Sequence, residues 1–406
     1  MAQVTRKSVI VTFKPKEKRP DKTKDKLEIV SAAITSAVNF LDVGTLARGV
    51  GLPVSLPVEM IGYDVNQYEA PIVTASLTDA EIDTLRKNGN VATVEDDGPC
   101  YALEQGLVVE GQPLPQAETI PGGVAQIKAP AAWDCSRGKG VKVAVLDTGI
   151  DNTHPDLAAN YRGGISFVPG QSPMDGNSHG THCAGTIAAA INGVGVVGVA
   201  PRASLYAVKV LSNSGSGQWS WLIAGINWCI SNKMHILSMS LGGSAPSALE
   251  TMCNAAFGRG LLLVAAAGNA GPPPAGTASS VGHPGKYRNV IAVSAIDSNN
   301  LIAGFSSRGP EVELCAPGVN VLSTIPGGGY GTKSGTSMAC PHVSGAAAVV
   351  WGAHRFANNV AIWNLLGSTA DNLGSPGWDP LYGYGRVDVE QAAFQFAVPP
   401  AIPLRP

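Results

Sequence analysis

Apolar positions in the first hundred residues follow the periods of strands and helices in turn. The pattern predicts a strand at 8–13, a helix at 27–40, strands across 54–65 and 70–77, a helix after Thr78 and a strand at 91–94. Thr78 and Glu81 have the spacing of a capping box, and Gly89 ends the helix that they open. This order of elements predicts a small ferredoxin-like α+β domain over residues 1–103.

The rest of the chain has short, continuous apolar runs separated by helical stretches. The predicted strands are 141–146, 205–210, 236–239, 261–266 and 290–295, and the predicted helices are 180–190, 219–231, 248–259 and 343–351. Continuous apolar strands are typical of a parallel sheet that helices cover on both faces, so we predict an α/β domain over residues 124–406. The intervening residues 104–123, which hold several Gly, Pro and Gln, are interpreted as a linker.

Composition narrows the class of protein. A chain of 406 residues with 14% charged and 45% hydrophobic residues is expected to be globular, with more than one domain. The net charge of −2 favours neither nucleic acid nor a membrane surface as a partner, and no apolar run reaches the roughly 18 residues that span a bilayer.

Seven cysteines without C-x-x-C spacing predict buried, reduced thiols and no zinc site. The N-terminus lacks the apolar core of a signal peptide, so we expect an intracellular protein, or a secreted one numbered after a removed signal.

Four polar residues stand where predicted strands end or helices begin. Asp147 and Asn269 each follow an apolar run, and His179 and Ser337 each precede a helical stretch. Taken singly, such residues are commonly turn formers or helix caps. A metal pair of His179 and His182 is a poor alternative, because their i, i+3 spacing comes without a third ligand nearby.

Taken together, these residues indicate a catalytic site, since Asp, His and Ser follow one another in the chain order of a known triad. In such a triad Asp147 holds the imidazole tautomer, His179 accepts the serine proton and Ser337 attacks a carbonyl carbon. Asn269 would donate its side-chain amide to the resulting oxyanion. Pro341 suits the first turn of the helix that follows, which puts Ser337 at a helix N-terminus, where negative charge is favoured.

The sequence around these residues is similar to the subtilisin family (subtilases) of serine proteases. The similar blocks are 143–151, 179–186, 240–243, 265–269 and 335–342, and the resemblance extends from about residue 117 to 395. It implies a self-processing endopeptidase precursor, in which residues 1–103 are a propeptide that assists folding and inhibits its own protease. We expect protein substrates, cleavage through an acyl-enzyme, and a monomer. Cys183 resembles a cysteine of proteinase K-like members, and we expect it to be buried and not nucleophilic.

The resemblance also implies where substrate binds. The edge strand that pairs with the substrate backbone would be Ser240, Leu241 and Gly242, and the primary pocket would also involve Ala266, Gly268 and Gly282. Leu211 and Trp219 would line a second apolar pocket, for the fourth residue before the cut. Because Ala270 is uncharged, we expect a preference for a large apolar residue directly before the cut.

A structural calcium ion is implied by the same resemblance. Its ligands would be the side chains of Asp156, Asn192 and Glu118 and the carbonyl oxygens of Ala190, Val194 and Val196. Oxygen donors of mixed carboxylate, amide and carbonyl type suit Ca²⁺. The alternative is that the loop is a glycine-rich turn without an ion.

The boundary between propeptide and protease has two candidates. Relatives are cut shortly after the acidic residues that match 95–97, which points to Leu103 as the processing site. That cut puts an apolar side chain in the primary pocket and Cys100 in the second pocket. The alternative is a cut after Gln116, which matches the usual mature start at Ala117.

Two other classes of function are open to a chain of this kind. One is a binding protein, in which an inhibited assembly turns over no outside substrate. The other is a transpeptidase that passes the acyl group to an amine. All four catalytic positions are present, which argues against the first, and no added acceptor domain is visible, which argues against the second.

Overall fold

The protein is described by a computed structural model over residues 5–14, 58–62, 72–112 and 117–395, with only the backbone described at 58–62 and 106–112. The helix predicted at 27–40 lies outside these residues. The N-terminal unit contains β1 (Lys7–Phe13), β2 (Val58–Gly62), β3 (Ile72–Leu77), α1 (Asp79–Arg86) and β4 (Val91–Asp96). Its strands form an antiparallel sheet in the order β2-β3-β1-β4, as expected of a ferredoxin-like domain.

Both faces of this small sheet are covered. One face packs against α1 through alternate apolar residues of β1 and the apolar face of the helix: Val9, Val11, Phe13, Ile82 and Leu85. The opposite face turns Ile10 and Ile72 into an apolar core of the larger domain. The predicted capping box begins α1, where Thr78 and Glu81 exchange side-chain and backbone hydrogen bonds. The unit therefore buries its second face only against the larger domain.

The larger domain follows in chain order. Its strands are β5 (Pro99–Ala102), β6 (Gln105–Gln112), β7 (Lys142–Asp147), β8 (Tyr161–Ser166), β9 (Ser204–Lys209), β10 (Ser216–Gln218), β11 (Ile236–Met239), β12 (Leu241–Gly242), β13 (Leu262–Ala266), β14 (Ile291–Ile296), β15 (Val312–Pro317), β16 (Val321–Ile325) and β17 (Gly329–Ser334). Its helices are α2 (Gly122–Gln126), α3 (Ala129–Ala132), α4 (Pro155–Ala158), α5 (His179–Ala188), α6 (Trp219–Ser231), α7 (Ser247–Gly258), α8 (Thr336–Ala353), α9 (Asn359–Ser368) and α10 (Val389–Phe394).

Seven of these strands form a parallel sheet in the order β15-β14-β13-β11-β7-β9-β8. Alternate residues of β7 enter two cores: Val143 and Val145 pack with α5 and α8, whereas Ala144 and Leu146 pack with α6 and α7. Helices thus cover both faces of the sheet, which confirms the predicted α/β fold. Among the described residues, no helix is long and apolar enough to cross a membrane.

Two expectations about the chain were wrong. Residues 105–112, interpreted as part of a linker, form β6 and pair antiparallel with β17, since backbone pairing to an available edge needs little side-chain periodicity. The helix expected from about 343, with Pro341 in its first turn, begins at Thr336, so Pro341 lies inside α8. A proline there removes one helical hydrogen bond, and the polar contacts described below replace it.

Candidate active site

The carboxyl end of β7 and the start of α5 bring Asp147 and His179 together. His179 Nδ1 lies 2.7 Å from Asp147 Oδ1, and neither side chain is exposed. The same carboxylate oxygen accepts the Thr148 N–H at 2.7 Å. Burial alone lowers the pKa of His179, but the Asp147 carboxylate outweighs burial and holds that pKa above its ordinary value.

The N-terminus of α5 is held by a residue that the sequence analysis missed. Ser178, the cap residue, has φ of 109° and makes no side-chain cap hydrogen bond. Instead the buried carboxylate of Asp175 accepts the N–H groups of Ser178 and Thr181 at 3.1 and 2.9 Å, and the hydroxyls of Thr181 and Thr148 at 2.6 and 2.9 Å. This network fixes the turn that carries His179. The sequence feature that could have indicated this role of Asp175 is its position three residues before the cap residue, Ser178.

Ser337 is the second residue of α8, and both its side chain and its carbonyl contact Ser240. Its hydroxyl donates to the Ser240 carbonyl at 2.8 Å. Because Pro341 has no N–H, the Ser337 carbonyl lacks its helical donor; it accepts the Ser240 hydroxyl at 2.8 Å and the Cys183 thiol at 3.5 Å instead. The strand end at Ser240 therefore fixes the turn that bears the candidate nucleophile.

Two atoms of the Asp147–His179 pair are left without hydrogen-bond partners among the described residues. Within the described part of the chain, His179 Nε2 has no hydrogen-bond partner and Asp147 Oδ2 has none. The Ser337 hydroxyl donates to the Ser240 carbonyl and is not bonded to the imidazole. Cys183 connects the two residues, because its sulfur lies 3.5 Å from the Ser337 carbonyl oxygen and within 4.8 Å of side-chain atoms of Asp147 and His179. Catalytic hydrogen bonds are often long or absent before the reacting complex forms, so the missing bond does not argue against Ser337 as the candidate nucleophile.

Asn269 follows β13 and directs an amide N–H₂ group into the same site. Its Oδ1 accepts the backbone N–H and the hydroxyl of Thr336 at 3.0 and 2.8 Å, which fixes the orientation of the amide. Its Nδ2 has no partner among the described residues. A Cβ atom at Gly335 would lie 2.5 Å from the Leu103 carbonyl oxygen and 3.4 Å from Asn269 Nδ2, so both atoms border this glycine.

Residues 99–102, which form β5, lie as the middle strand between β10 and β12. The pairs are antiparallel on both sides, with Tyr101 opposite Ser216 and Gly242. The Leu103 N–H continues the ladder by donating to the Ser240 carbonyl at 3.3 Å. The chain then runs on without a break into β6. A segment of the protein itself therefore occupies the groove where the sequence analysis predicted substrate.

The side chains of this segment enter the two predicted pockets. Leu103 packs on the glycine wall, where a Cβ at Gly242 would lie 2.9 Å from Leu103 Cδ1. Leu103 also packs against the core cluster that contains Ala266, while the Gly282 N–H donates to the Ala267 carbonyl at 2.9 Å on the adjoining segment. A Cβ at Gly268 would lie 3.5 Å from the Gly282 nitrogen, so these backbones pass close together. Cys100 shares a fully buried cluster with the predicted second-pocket residues, Leu211 and Trp219.

Two carboxylates just before this segment bind the N-termini of α6 and α7. Asp97 accepts the Ser220 N–H and hydroxyl at 3.0 and 2.7 Å. Glu95 accepts the Ser247 N–H and hydroxyl, both at 2.8 Å. Carboxylates are favourable at helix N-termini because the first N–H groups are unpaired there and the helix dipole is positive. These contacts attach the N-terminal unit to the larger domain.

The residues predicted to hold calcium come together around the loop after α5. The buried Asp156 carboxylate accepts the Val196 N–H and the Tyr330 hydroxyl at 2.9 Å each, and Asn192 Nδ2 at 3.0 Å. Glu118 Oε1 accepts the Asn192 N–H at 2.6 Å. Tyr330 was not foreseen, because it lies in β17, far from the loop along the chain.

All seven cysteines are unpaired; Cys135 is exposed and the other six are buried. Cys183 lies on α5 one turn below His179, and its sulfur, Asp147 and His179 form one compact buried group. Burial raises the pKa of Cys183 well above its ordinary value, because the thiolate is disfavoured without water. The expected burial of Cys183 is confirmed, and its lack of reactivity stays a prediction.

Comparison with known proteins defines the class. The family model described as the subtilase family matches residues 138–385, which is more than half of the chain, and the chain belongs to this family. It is a serine endopeptidase, and its substrates are proteins.

Individual relatives are similar in sequence to this chain over most of its length. Subtilisin E of Bacillus subtilis (strain 168) is 48% identical over 323 residues, which cover 79% of this chain and 80% of the relative. The subtilisin of Bacillus pumilus is 52% identical over 281 residues, covering 68% of this chain and 100% of the relative. An alkaline protease of Shouchella clausii is 47% identical over 325 residues, covering 79% of each chain.

Proposed function

We propose that this chain is a protease precursor that cleaves its own Leu103–Glu104 bond, with residues 1–103 as propeptide and 124–406 as the catalytic domain. The observation that carries the proposal is the position of residues 99–103, which extend the ladder between β10 and β12 up to Ser240. Because the chain runs on without a break after Leu103, the peptide bond that it presents to Ser337 is the one between Leu103 and Glu104. Ala117, the alternative new N-terminus, lies instead beside Thr119, which pairs with Val196 of the predicted calcium loop.

The reaction uses the groups already described. Ser337 Oγ bonds to the carbonyl carbon of Leu103 as its proton passes to His179 Nε2, and Asn269 Nδ2 with the Ser337 backbone N–H stabilises the oxyanion. The bond to Glu104 then breaks, and His179 gives its proton to the departing amine. Water next attacks the Ser337 ester as one of its protons passes to His179. His179 gives that proton to Ser337 Oγ as the bond between Oγ and the Leu103 carbonyl carbon breaks, and the new C-terminal acid of Leu103 loses its proton to solvent.

Asp147 makes this proton transfer favourable. Its carboxylate holds the Nδ1–H of His179, so Nε2 is left free to accept the serine proton. It also stabilises the imidazolium that forms, in agreement with the raised pKa of His179. The site needs neutral His179 at the start, so activity is expected at neutral to alkaline pH.

A paired experiment tests this function. Purified wild-type chain and the Ser337→Ala variant are incubated side by side, and casein cleavage is followed together with intact mass. We expect the wild type alone to lose about its first hundred residues and then to cleave casein. A Ser337→Ala variant that is processed equally fast, or a wild type that stays intact and inactive, would contradict the proposal.

The released propeptide would remain bound as an inhibitor. Its strand β5 fills the substrate groove, and Glu95 and Asp97 hold the starts of α6 and α7. Casein cleavage should therefore lag behind the appearance of cut chain, until propeptide is itself degraded. Simultaneous appearance of both would argue against an inhibitory role. The same catalytic monomer is expected to prefer large apolar residues before the cut, as Leu103 illustrates.

A calcium ion fits the loop after α5 by its donor chemistry. No N–H or O–H of the described residues donates to the carbonyl oxygens of Ala190, Val194 and Val196, so three oxygens are available beside the Asp156 carboxylate. Asn192 would have to turn its amide, because its nitrogen faces Asp156. Such a site would tie Glu118 near the N-terminal end of the mature enzyme to this loop.

Removal of calcium tests this part of the proposal. Chelator should shorten the half-life of thermal inactivation in the wild type and have little effect on an Asp156→Asn variant, which already lacks a charged ligand. Calcium titration of the chelated wild type should restore the half-life. Equal effects of chelator on both proteins would contradict this site.

A further inference from the structure

Lys333 is a buried cation that lies on the Glu104 side of the Leu103–Glu104 bond. It belongs to β17, is 2% exposed, and its Nζ lies 2.5 Å from Glu104 Oε1. Among the described residues, Glu104 is the one carboxylate within ion-pair distance of this lysine. Glu104 is also the residue directly after Leu103. The lysine is therefore paired with the first residue of the segment that would leave.

The backbone explains why this pair forms. Beyond Leu103 the chain joins β17 as β6, with Gln105 opposite Ser334 and Val109 opposite Thr332. The segment after the bond is thus bound by strand addition, just as the segment before it is bound by β10 and β12. Another protein chain in this groove would have to place its first leaving residue where Glu104 lies.

The buried ammonium group of Lys333 favours some side chains over others at the position that Glu104 occupies. Covering Lys333 removes water from it, and this costs free energy unless an opposite charge replaces the water. A carboxylate supplies that charge, a neutral side chain does not, and a second cation adds repulsion. Discrimination therefore comes as much from rejecting the wrong charge as from binding the right one.

We propose that Lys333 makes this protease select substrates with glutamate or aspartate directly after the cleaved bond, an inference that rests on the peptidase function proposed above. Glu104 is then the chain's own example of the preferred residue. The selectivity belongs to the leaving side of the bond and is separate from the apolar preference on the Leu103 side.

The pair also acts on the catalytic histidine. Behind the larger effects of burial and of Asp147, the Glu104 charge raises the pKa of His179 and the Lys333 charge lowers it. A bound acidic residue thus offsets the influence of the lysine. Replacing Lys333 by a neutral residue should raise the pKa of His179 in the free enzyme. Because activity needs neutral His179, the acidic limb of kcat/KM should then move to higher pH.

The test uses processed enzyme and three quenched peptides that differ only in the residue after Leu, which is Glu, Gln or Lys. For the wild type, we expect kcat/KM to fall about tenfold from Glu to Gln and further for Lys, the scale of a desolvated charge pair. Lys333→Met should bring the Glu-to-Gln ratio close to one. Lys333→Glu should reverse the order, and Lys333→Arg, which keeps the charge, should retain the wild-type order.

A second measurement uses the full chain, where the leaving residue is Glu104 itself. Glu104→Lys should slow self-processing strongly, and the double variant with Lys333→Glu should recover much of the rate. Recovery by charge exchange separates a specific pair from general damage to the fold.

The outcomes separate this inference from the function on which it rests. Equal cleavage of all three peptides by the wild type, or a Glu-to-Gln ratio that is unchanged by Lys333→Met, would overturn the selectivity and leave the peptidase function standing. Cleavage of none of the peptides by the wild type would overturn the proposed function and the selectivity with it.

Discussion

The hydroxyl of Ser240 replaces a helical hydrogen bond that Pro341 removes. The Ser337 carbonyl, four residues before the proline, accepts this hydroxyl at 2.8 Å and the weaker Cys183 thiol donor at 3.5 Å. We predict that Ser240→Ala destabilises the protein by about 1–3 kcal/mol, because it leaves a buried acceptor with only the thiol. The Ser240 backbone, whose carbonyl accepts the Leu103 N–H, is not changed.

Thermal unfolding measures this loss. The assay is calorimetry of variants that also carry Ser337→Ala. This substitution prevents self-digestion and leaves the backbone carbonyl of residue 337 in place. Unfolding entropy of about 2.1 cal/mol/K per residue, taken over the roughly 280 residues of the larger domain, amounts to about 0.6 kcal/mol/K. The predicted loss then lowers Tm by about 2–5 °C.

A double variant decides whether the proline is the cause. Pro341→Ala restores a backbone N–H at position 341, which can donate to the carbonyl of residue 337 as in an ordinary helix. Ser240→Ala should then cost less than half as much as it does with Pro341 present. Ser323→Ala is the matched control, since Ser323 donates to the His182 carbonyl at 2.8 Å and that acceptor keeps a bond from Thr186. An equal cost of Ser240→Ala in both backgrounds would refute the reasoning.

Three further predictions concern the active site and its thiols. Asn269→Ala should lower kcat about 100-fold or more with little change in KM, because the oxyanion loses one donor; an unchanged kcat would exclude that role. Asp147→Asn should lower kcat by about 10⁴ and, by removing the charge that raises the pKa of His179, move the acidic limb of kcat/KM to lower pH; a move to higher pH would contradict this. In the native enzyme a thiol reagent should label Cys135 rapidly without loss of activity, since the other six thiols are buried; rapid labelling at several thiols would contradict that burial.

The elements that carry chemistry were the most predictable part of the fold. Strands such as β7 and β13 are continuous apolar runs, and a polar residue at the end of such a run or shortly after it lies at the edge of the sheet where active sites form. The apolar pattern by itself therefore placed Asp147 and Asn269 at that edge. Their roles as catalytic groups stay predictions until the variants are measured.

The features that were missed depend on contacts far apart in sequence. Strand β6 has no strong period of its own and exists because β17 offers an unpaired edge. Where α8 runs through Pro341, the donor to the Ser337 carbonyl is a hydroxyl of Ser240, about a hundred residues away. Asp175 looks like an ordinary loop residue until α5 is seen to begin on its carboxylate. Local propensity contains no information on the partners of β6 and α8, and the one local signal for Asp175 was its position three residues before Ser178.

The most direct test of the central claim is the identity and order of the first cut in the intact chain. Intact mass would be followed over time at two protein concentrations a hundredfold apart, with Ser337→Ala alongside. The account predicts that the first products end at Leu103 and begin at Glu104, that their rate is independent of concentration, and that the variant forms none. A first cut after Gln116, or a rate that rises in proportion to concentration, would contradict it.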